Sequence, residues 1–151
     1  MILEYATLEH CVHRPTRANP SDAGLDLCFN PKDGAQTVLR PGESAVLATG
    51  LKFGIPHGYM FQIMNRSGNA AKRSLMVGAC VVDAGYDGEV FVNLHNMSSM
   101  KQVINPGDKI AQGVVIPVVP VRFMETFSED PYWYPIAISD RGDGALGSTG
   151  R

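Results

Sequence analysis

Glu89-Val90-Phe91-Val92-Asn93-Leu94-His95-Asn96 is the stretch on which the reading of the fold turns. Val90, Val92 and Leu94 fall on one side of an extended chain, and Phe91, Asn93 and His95 on the other. Successive side chains of a pleated strand point to opposite faces, so this alternation marks a strand with one face in a core. The turn signal Gly85-Tyr86-Asp87-Gly88 precedes it, and Asn105-Pro106-Gly107-Asp108 follows. Moving outward, residues 44–49, 59–64 and 109–115 repeat the alternation, separated by Pro31-Lys32-Asp33-Gly34, Pro41-Gly42 and Pro56-His57-Gly58. Many short strands at near-even spacing predict an all-β protein: an antiparallel sandwich, jelly roll or barrel. One helical candidate stands apart. Residues 68–75 include Ala70, Ala71, Lys72 and Arg73, all good helix formers.

A chain of 151 residues is about one domain long and can remove roughly 70% of its unfolded surface from water. Apolar residues at 44% and charged residues at 19% fit a globular protein and not a disordered one. The formal charge of −2 leaves no basic surplus to grip a polyanion, so direct nucleic-acid binding is not expected. Cys11, Cys28 and Cys80 are odd in number and widely spaced, which supports neither a disulfide framework nor a zinc knuckle. Residues 1–11 carry Glu4 and Glu9 and do not read as a signal peptide. The most apolar run, 113–121, is broken by Pro117 and Pro120 and is too short to cross a bilayer. The expectation is a protein with no membrane partner in a reducing compartment, the cytoplasm, or the host-cell cytoplasm if it is viral.

Residues 139–151 differ from the β domain expected over 1–138. They hold four glycines and Asp140, Arg141 and Asp143, with no face to bury. Composition predicts a flexible arm, either a frayed end or a lid that orders on a ligand. Gly142-Asp143-Gly144-Ala145-Leu146-Gly147 satisfies G-x-G-x-x-G, but a dinucleotide fingerprint needs a following helix and a later acidic residue, and neither has room. No P-loop pattern is present. Arg141-Gly142-Asp143 and the acceptors Asn65-Arg66-Ser67 and Asn96-Met97-Ser98 are taken as coincidental in a chain read as non-secreted. His10, Cys11 and His13 lie close, but His57 and His95 offer no spacing that completes a metal site.

What remains are five polar or glycine-rich stretches set among the strands. These are Asp22-Ala23-Gly24-Leu25-Asp26-Leu27, Arg66-Ser67-Gly68, residues 78–88, Pro106-Gly107-Asp108-Lys109-Ile110-Ala111-Gln112, and residues 141–150. Singly, each has a structural explanation: Pro106-Gly107-Asp108 makes a good turn, and Arg66-Ser67-Gly68 can simply start the helix. In content, order and spacing together they resemble the five motifs of the trimeric dUTPase family. Val82-Asp83-Ala84-Gly85-Tyr86-Asp87-Gly88-Glu89 and Gly147-Ser148-Thr149-Gly150 carry much of that weight.

The resemblance implies a distorted jelly roll, or β-clip barrel, with one short helix, assembled as a homotrimer with shared active sites. It implies hydrolysis of dUTP to dUMP and pyrophosphate by water attack on the α-phosphorus, with Mg²⁺ as cofactor. That reaction limits uracil incorporation into DNA and supplies dUMP for dTMP synthesis. Asp83 matches the catalytic base, a role that needs a carboxylate able to position and deprotonate water; Val81 and Val82 before it suggest a setting screened from solvent. Tyr86 matches the ring that packs under the sugar and excludes a 2′-hydroxyl. Main-chain groups of a hairpin around Val77 to Val82, Cys80 and Val81 among them, would read the base. Ser67, the Gly68 amide, Arg66 and Gln112 match phosphate contacts, and Arg141 on the arm would take the γ-phosphate. Asp26 matches an aspartate that reaches the metal through water, or it serves a buried hydrogen-bonding role.

Four positions depart from the family pattern. Leu146, beside Gly147, stands where an aromatic usually stacks on the uracil, and Asp143 where a small or hydroxyl residue is common. Cys80 replaces a frequent glycine and would be strained if that position needed positive φ, and Val77 stands where some members have asparagine. The nearest rival, dCTP deaminase, needs a glutamate where Asn93 stands, and an amide cannot act as general base. A non-catalytic binding protein on the same scaffold, or a plain structural jelly roll, would not need Asp83, Arg66-Ser67-Gly68 and Arg141 together.

Overall fold

In the computed structural model, which describes residues 1–129 and 131, the deciding stretch is a strand in the expected phase. Val92 and Leu94 are fully buried and Val90 nearly so, while Phe91 on the opposite face is 41% exposed. Asn96 ends the strand fully buried. Its amide donates to the carbonyls of Leu39 and Met100, and its Oδ1 accepts from Ser98. Such full pairing is what a buried amide requires, and it leaves this asparagine no freedom to carry a glycan.

The described elements are β1 (Tyr5–Thr7), β2 (Leu25–Cys28), β3 (Thr37–Leu39), β4 (Ser44–Ala48), β5 (Leu51–Phe53), β6 (Tyr59–Met64), α1 (Ser67–Arg73), β7 (Leu75–Val77), β8 (Val81–Val82), β9 (Phe91–Asn96), β10 (Gln102–Ile104) and β11 (Lys109–Pro117). All of the ladders are antiparallel. One sheet has the order β2-β11-β6-β8 and another β4-β9-β7; β1-β5 and β10-β3 are two-stranded. Their inner faces meet in one core that includes Leu27, Leu47, Leu51, Phe61, Leu94 and Ile104. Fully burying side chains of this size contributes about 1.5–3 kcal/mol each before the entropy of ordering is counted. At the centre Phe61 stacks tilted on Phe53 at 4.4 Å between centroids. Its ring fills the space over Gly113, where an added Cβ would lie 1.9 Å from the ring.

The helix is short because its signals are. Arg66 precedes it in extended conformation, and Ser74 closes it in the left-handed region at φ 50°. Lys72 and Arg73 in the last turn suit the negative end of the helix dipole. Buried Asn69 ties α1 to β11 by donating to the Lys109 and Ile110 carbonyls. The chain divides into two units, Met1–Pro120 and Val121–Arg151. In the second, the described residues form no strand or helix and expose Phe123, Met124 and Phe127. The arm expected over 139–151 lies outside the described residues.

Candidate active site

Pairing of β2, β11 and β6 brings the first, second and fourth of the polar stretches together. Gln112 on β11 is in register with Asp26 on one side and Met64 on the other, so the residues after Met64 run beside both. Asp26 Oδ1 accepts from Arg66 Nε at 2.7 Å, and Oδ2 accepts from Lys109 Nζ at 2.8 Å and Arg66 Nη2 at 3.4 Å. Burial alone would raise the Asp26 carboxyl, but the hydrogen bonds from Lys109 and Arg66 outweigh it and hold it below the ordinary carboxylate range. Two cations against one carboxylate leave this strand end with positive charge. Exposed Ser67 and Gly68 open α1 next to it, with nothing near the Gly68 Cα. Gln112 lies across Gly24, and its amide donates to the Asn65 carbonyl at 2.9 Å.

The third stretch is built at the other end of β6. Asp83 and Tyr86 form a tight turn: the Tyr86 N–H donates to the Asp83 carbonyl at 3.2 Å, and Gly85 supplies the required φ of 86°. The Tyr86 ring lies over Gly88, where a Cβ would come within 2.4 Å of it, and its hydroxyl donates to the Glu89 carbonyl at 2.9 Å. Asp83 lines a cavity of about 290 Å³ with His57, Tyr59, Met60, Ala84 and Val118.

Two expectations about this region change. Asp83 is exposed, and Val81 before it is 54% exposed; Val81 belongs to a two-residue strand at the sheet edge and Asp83 follows it in the turn, so nothing screens them in a single chain. Cys80 and Val81 are also not part of a paired hairpin. β7 joins β9 and β8 joins β6, so the segment between them crosses from one sheet to the other. It is held by Val77 N–H donating to Asn65 Oδ1 and by Cys80 C=O accepting from Ile63 N–H, both at 2.7 Å. Cys80 is not strained, since Ser74 is the one non-glycine residue with positive φ among those described. Asn93, the position that would bear the deaminase glutamate, pairs its Oδ1 with His95 Nε2 at 2.8 Å across Gly78.

Lys109, Asn65 and the His10–Glu89 pair were not singled out from sequence as parts of the site. Lys109 lay within a quoted motif, but its partner Asp26 is 83 positions away. Arg141, Leu146 and Gly147 lie outside the described residues. Among those described, no cluster of three or more His, Cys, Asp or Glu could hold a metal. Asp26 has both oxygens engaged by cations, so it does not suit direct ligation. A Mg²⁺ that arrived on a polyphosphate with most of its waters would need only an outer acceptor for one of them, a role the Asp26 carboxylate would fill.

The likeness to solved structures defines the class first: this is a jelly-roll fold shared with dUTPases. The dUTPase of phage phi11 of S. aureus superposes with a TM-score of 0.76 at 25% identity, over 87% of this chain and 100% of that one. A mutant dUTPase of Staphylococcus bacteriophage 80alpha, solved with dUpNHpp, gives 0.80 at 24% identity over 99% of both chains. In sequence, the deoxyuridine 5'-triphosphate nucleotidohydrolase of Gloeobacter violaceus is 38% identical over 145 residues, 95% of this chain and 92% of its own. That of Chlamydia trachomatis serovar L2 is 35% identical over 97% of each. The family model described as dUTPase matches residues 11–150. The chain belongs to the dUTPase family, a family of nucleotide-hydrolysing enzymes.

Proposed function

We propose that this chain hydrolyses dUTP to dUMP and pyrophosphate with Asp83 as the general base. The observation that carries the reading is the positive strand end where Arg66 and Lys109 flank Asp26 beside Ser67, Gly68 and Gln112. A triphosphate needs donors and net positive charge, and this cluster offers both. Asp83 takes a proton from water, the water oxygen attacks the α-phosphorus, and the bond from that phosphorus to the bridging oxygen breaks. Pyrophosphate leaves, and dUMP keeps the new oxygen. Mg²⁺ on the phosphate oxygens would neutralise their charge as the bridge breaks. Tyr86 packs against the sugar, main-chain groups near Cys80 and Val81 read the base, Arg141 takes the γ-phosphate, and Leu146 and Gly147 close over the nucleotide. The reaction limits uracil in DNA and leaves dUMP for dTMP synthesis.

Within one chain the two halves of the site lie toward opposite ends of β6. Val82 pairs with Phe61, so Asp83 stands level with Met60, and Arg66 is six residues further on. At about 3.3 Å per residue that is roughly 20 Å, whereas a base must come within about 3 Å of its water. We therefore read the working unit as a homotrimer in which Asp83 and Tyr86 of one chain face Asp26, Arg66 and Gln112 of another. Val46, Phe91 and Met76, exposed on the outer face of the β4-β9-β7 sheet around the Asn93–His95 pair, support association, since exposed apolar side chains gathered on one face favour a contact.

Hydrolysis in ¹⁸O-water tests the bond that breaks. The expected result is label in dUMP and none in pyrophosphate. Label in pyrophosphate would mean attack on the β-phosphorus and would overturn the role given to Asp83.

A further inference from the structure

The backbone of Tyr86 is held by its own turn and its ring rests on Gly88, but the far end of the ring is anchored further along the chain. Its hydroxyl ends on the Glu89 carbonyl, so the position of the ring depends on where the Glu89 backbone is fixed. Glu89 is fixed by its side chain, which is only 7% exposed. Its Oε1 accepts from Gly50 N–H at 2.8 Å and from His10 Nε2 at 2.9 Å. His10, 14% exposed, rides on a turn in which Cys11 N–H donates to Leu8 C=O and Leu8 N–H donates to Gly50 C=O. That turn sits directly on Gly50, where φ is 69° and a Cβ would come within 2.6 Å of the Cys11 Cβ. From Glu89 onward the chain is locked into the core, Val90 N–H donating to Leu51 C=O at 2.8 Å. The path from His10 to Glu89 to the Tyr86 hydroxyl is thus continuous. The neighbouring tie, Lys52 to Asp87 at 2.7 Å, is a surface pair with Asp87 91% exposed and adds little rigidity.

We propose that His10 and Glu89 are positioning residues that set how closely the Tyr86 ring approaches the sugar, and so how strongly a 2′-hydroxyl is rejected. The inference rests on the reading of Tyr86 given above. If the pair relaxes, the ring can retreat and the space for a 2′-hydroxyl opens. Discrimination against the ribonucleotide then falls while the phosphate contacts and Asp83 are untouched. A displacement of about 1 Å can cost roughly 10²-fold in a catalytic site, so a smaller one is expected to change selectivity by about tenfold.

The test is kcat/KM for dUTP and for UTP in the full chain and in Tyr86→Ala, His10→Ala, His10→Gln, Glu89→Gln and Lys52→Ala. The expected result is a dUTP/UTP ratio lowered about tenfold in His10→Ala, retained in His10→Gln, whose amide can still donate to Glu89, and unchanged in Lys52→Ala. Should His10→Ala fail to fold, His10→Phe keeps the bulk of the ring without a donor and is read for the same drop, whereas Glu89→Gln still accepts from Gly50 and His10 through Oε1 and should hold the ratio. A ratio that falls in Tyr86→Ala but stays unmoved in His10→Ala, or in His10→Phe where that is the variant read, would overturn the positioning role. So would equal losses toward both nucleotides, the pattern of a merely structural contact. A ratio unmoved in Tyr86→Ala itself would instead overturn the reading of the tyrosine.

Discussion

Asp83 and Gly88 show how differently two residues of one loop act. Asp83 makes no side-chain contact that its turn depends on; the turn uses its carbonyl. Asp83→Asn is therefore expected to fold and bind dUTP as before, with kcat lowered about 10²–10⁴-fold, the range of general-base catalysis. Steady-state kinetics alongside calorimetric binding checks this, and retained turnover would remove Asp83 from the chemistry. Gly88 matters through what it lacks: a Cβ there would collide with Tyr86. Gly88→Ala should raise KM for dUTP with little change in melting temperature, as seen in a paired kinetic and thermal assay. The placement of Asp83 and Tyr86 in one turn was legible in sequence because they sit in a compact motif. The partnership of His10 with Glu89, 79 positions apart, was not, because no local pattern records a contact that only the tertiary fold creates.

At the level of elements, alternation and turn residues located the long strands well. β6 and β9 carry the expected faces, and β11 runs two residues beyond the predicted end to Pro117. The crossing from β7 to β8 was hidden, since Val77 to Val82 reads as a hairpin and only the partners Asn65 and Ile63 divert it. Where β11 passes Phe61, Gly113→Ala should destabilise the protein by about 1–3 kcal/mol through overpacking, measurable by denaturant melts. Asp26 governs the acid behaviour of the β2–β11 pair. Its carboxyl is held below its unfolded value of about 3.9. The stability it brings is therefore full above that pH and is lost as pH falls through the lower folded value. Asp26→Asn should be less stable than wild type by about 1–3 kcal/mol near neutrality, with the gap closing on acidification below about pH 4. A gap that does not narrow would contradict the ion pairs with Arg66 and Lys109.

For the whole molecule the central proposal is that the site is divided between the two ends of β6. Sequence order placed the motifs in one list, whereas the ladder Phe61 to Val82 puts Asp83 beside the start of β6, with Arg66 beyond its end. Co-refolding two inactive proteins, Asp83→Asn and Arg66→Ala, should restore activity that neither has alone, because mixed assemblies contain sites with both groups intact. Continued inactivity of the mixture, with assembly shown by mass, would place the whole site in one chain. Most direct for the account as a whole is incubation of the purified protein with dUTP, dCTP, dTTP and UTP plus Mg²⁺, with products separated by chromatography. Release of dUMP and pyrophosphate from dUTP alone is the predicted result; deamination of dCTP, or binding of dUTP without turnover, would contradict it.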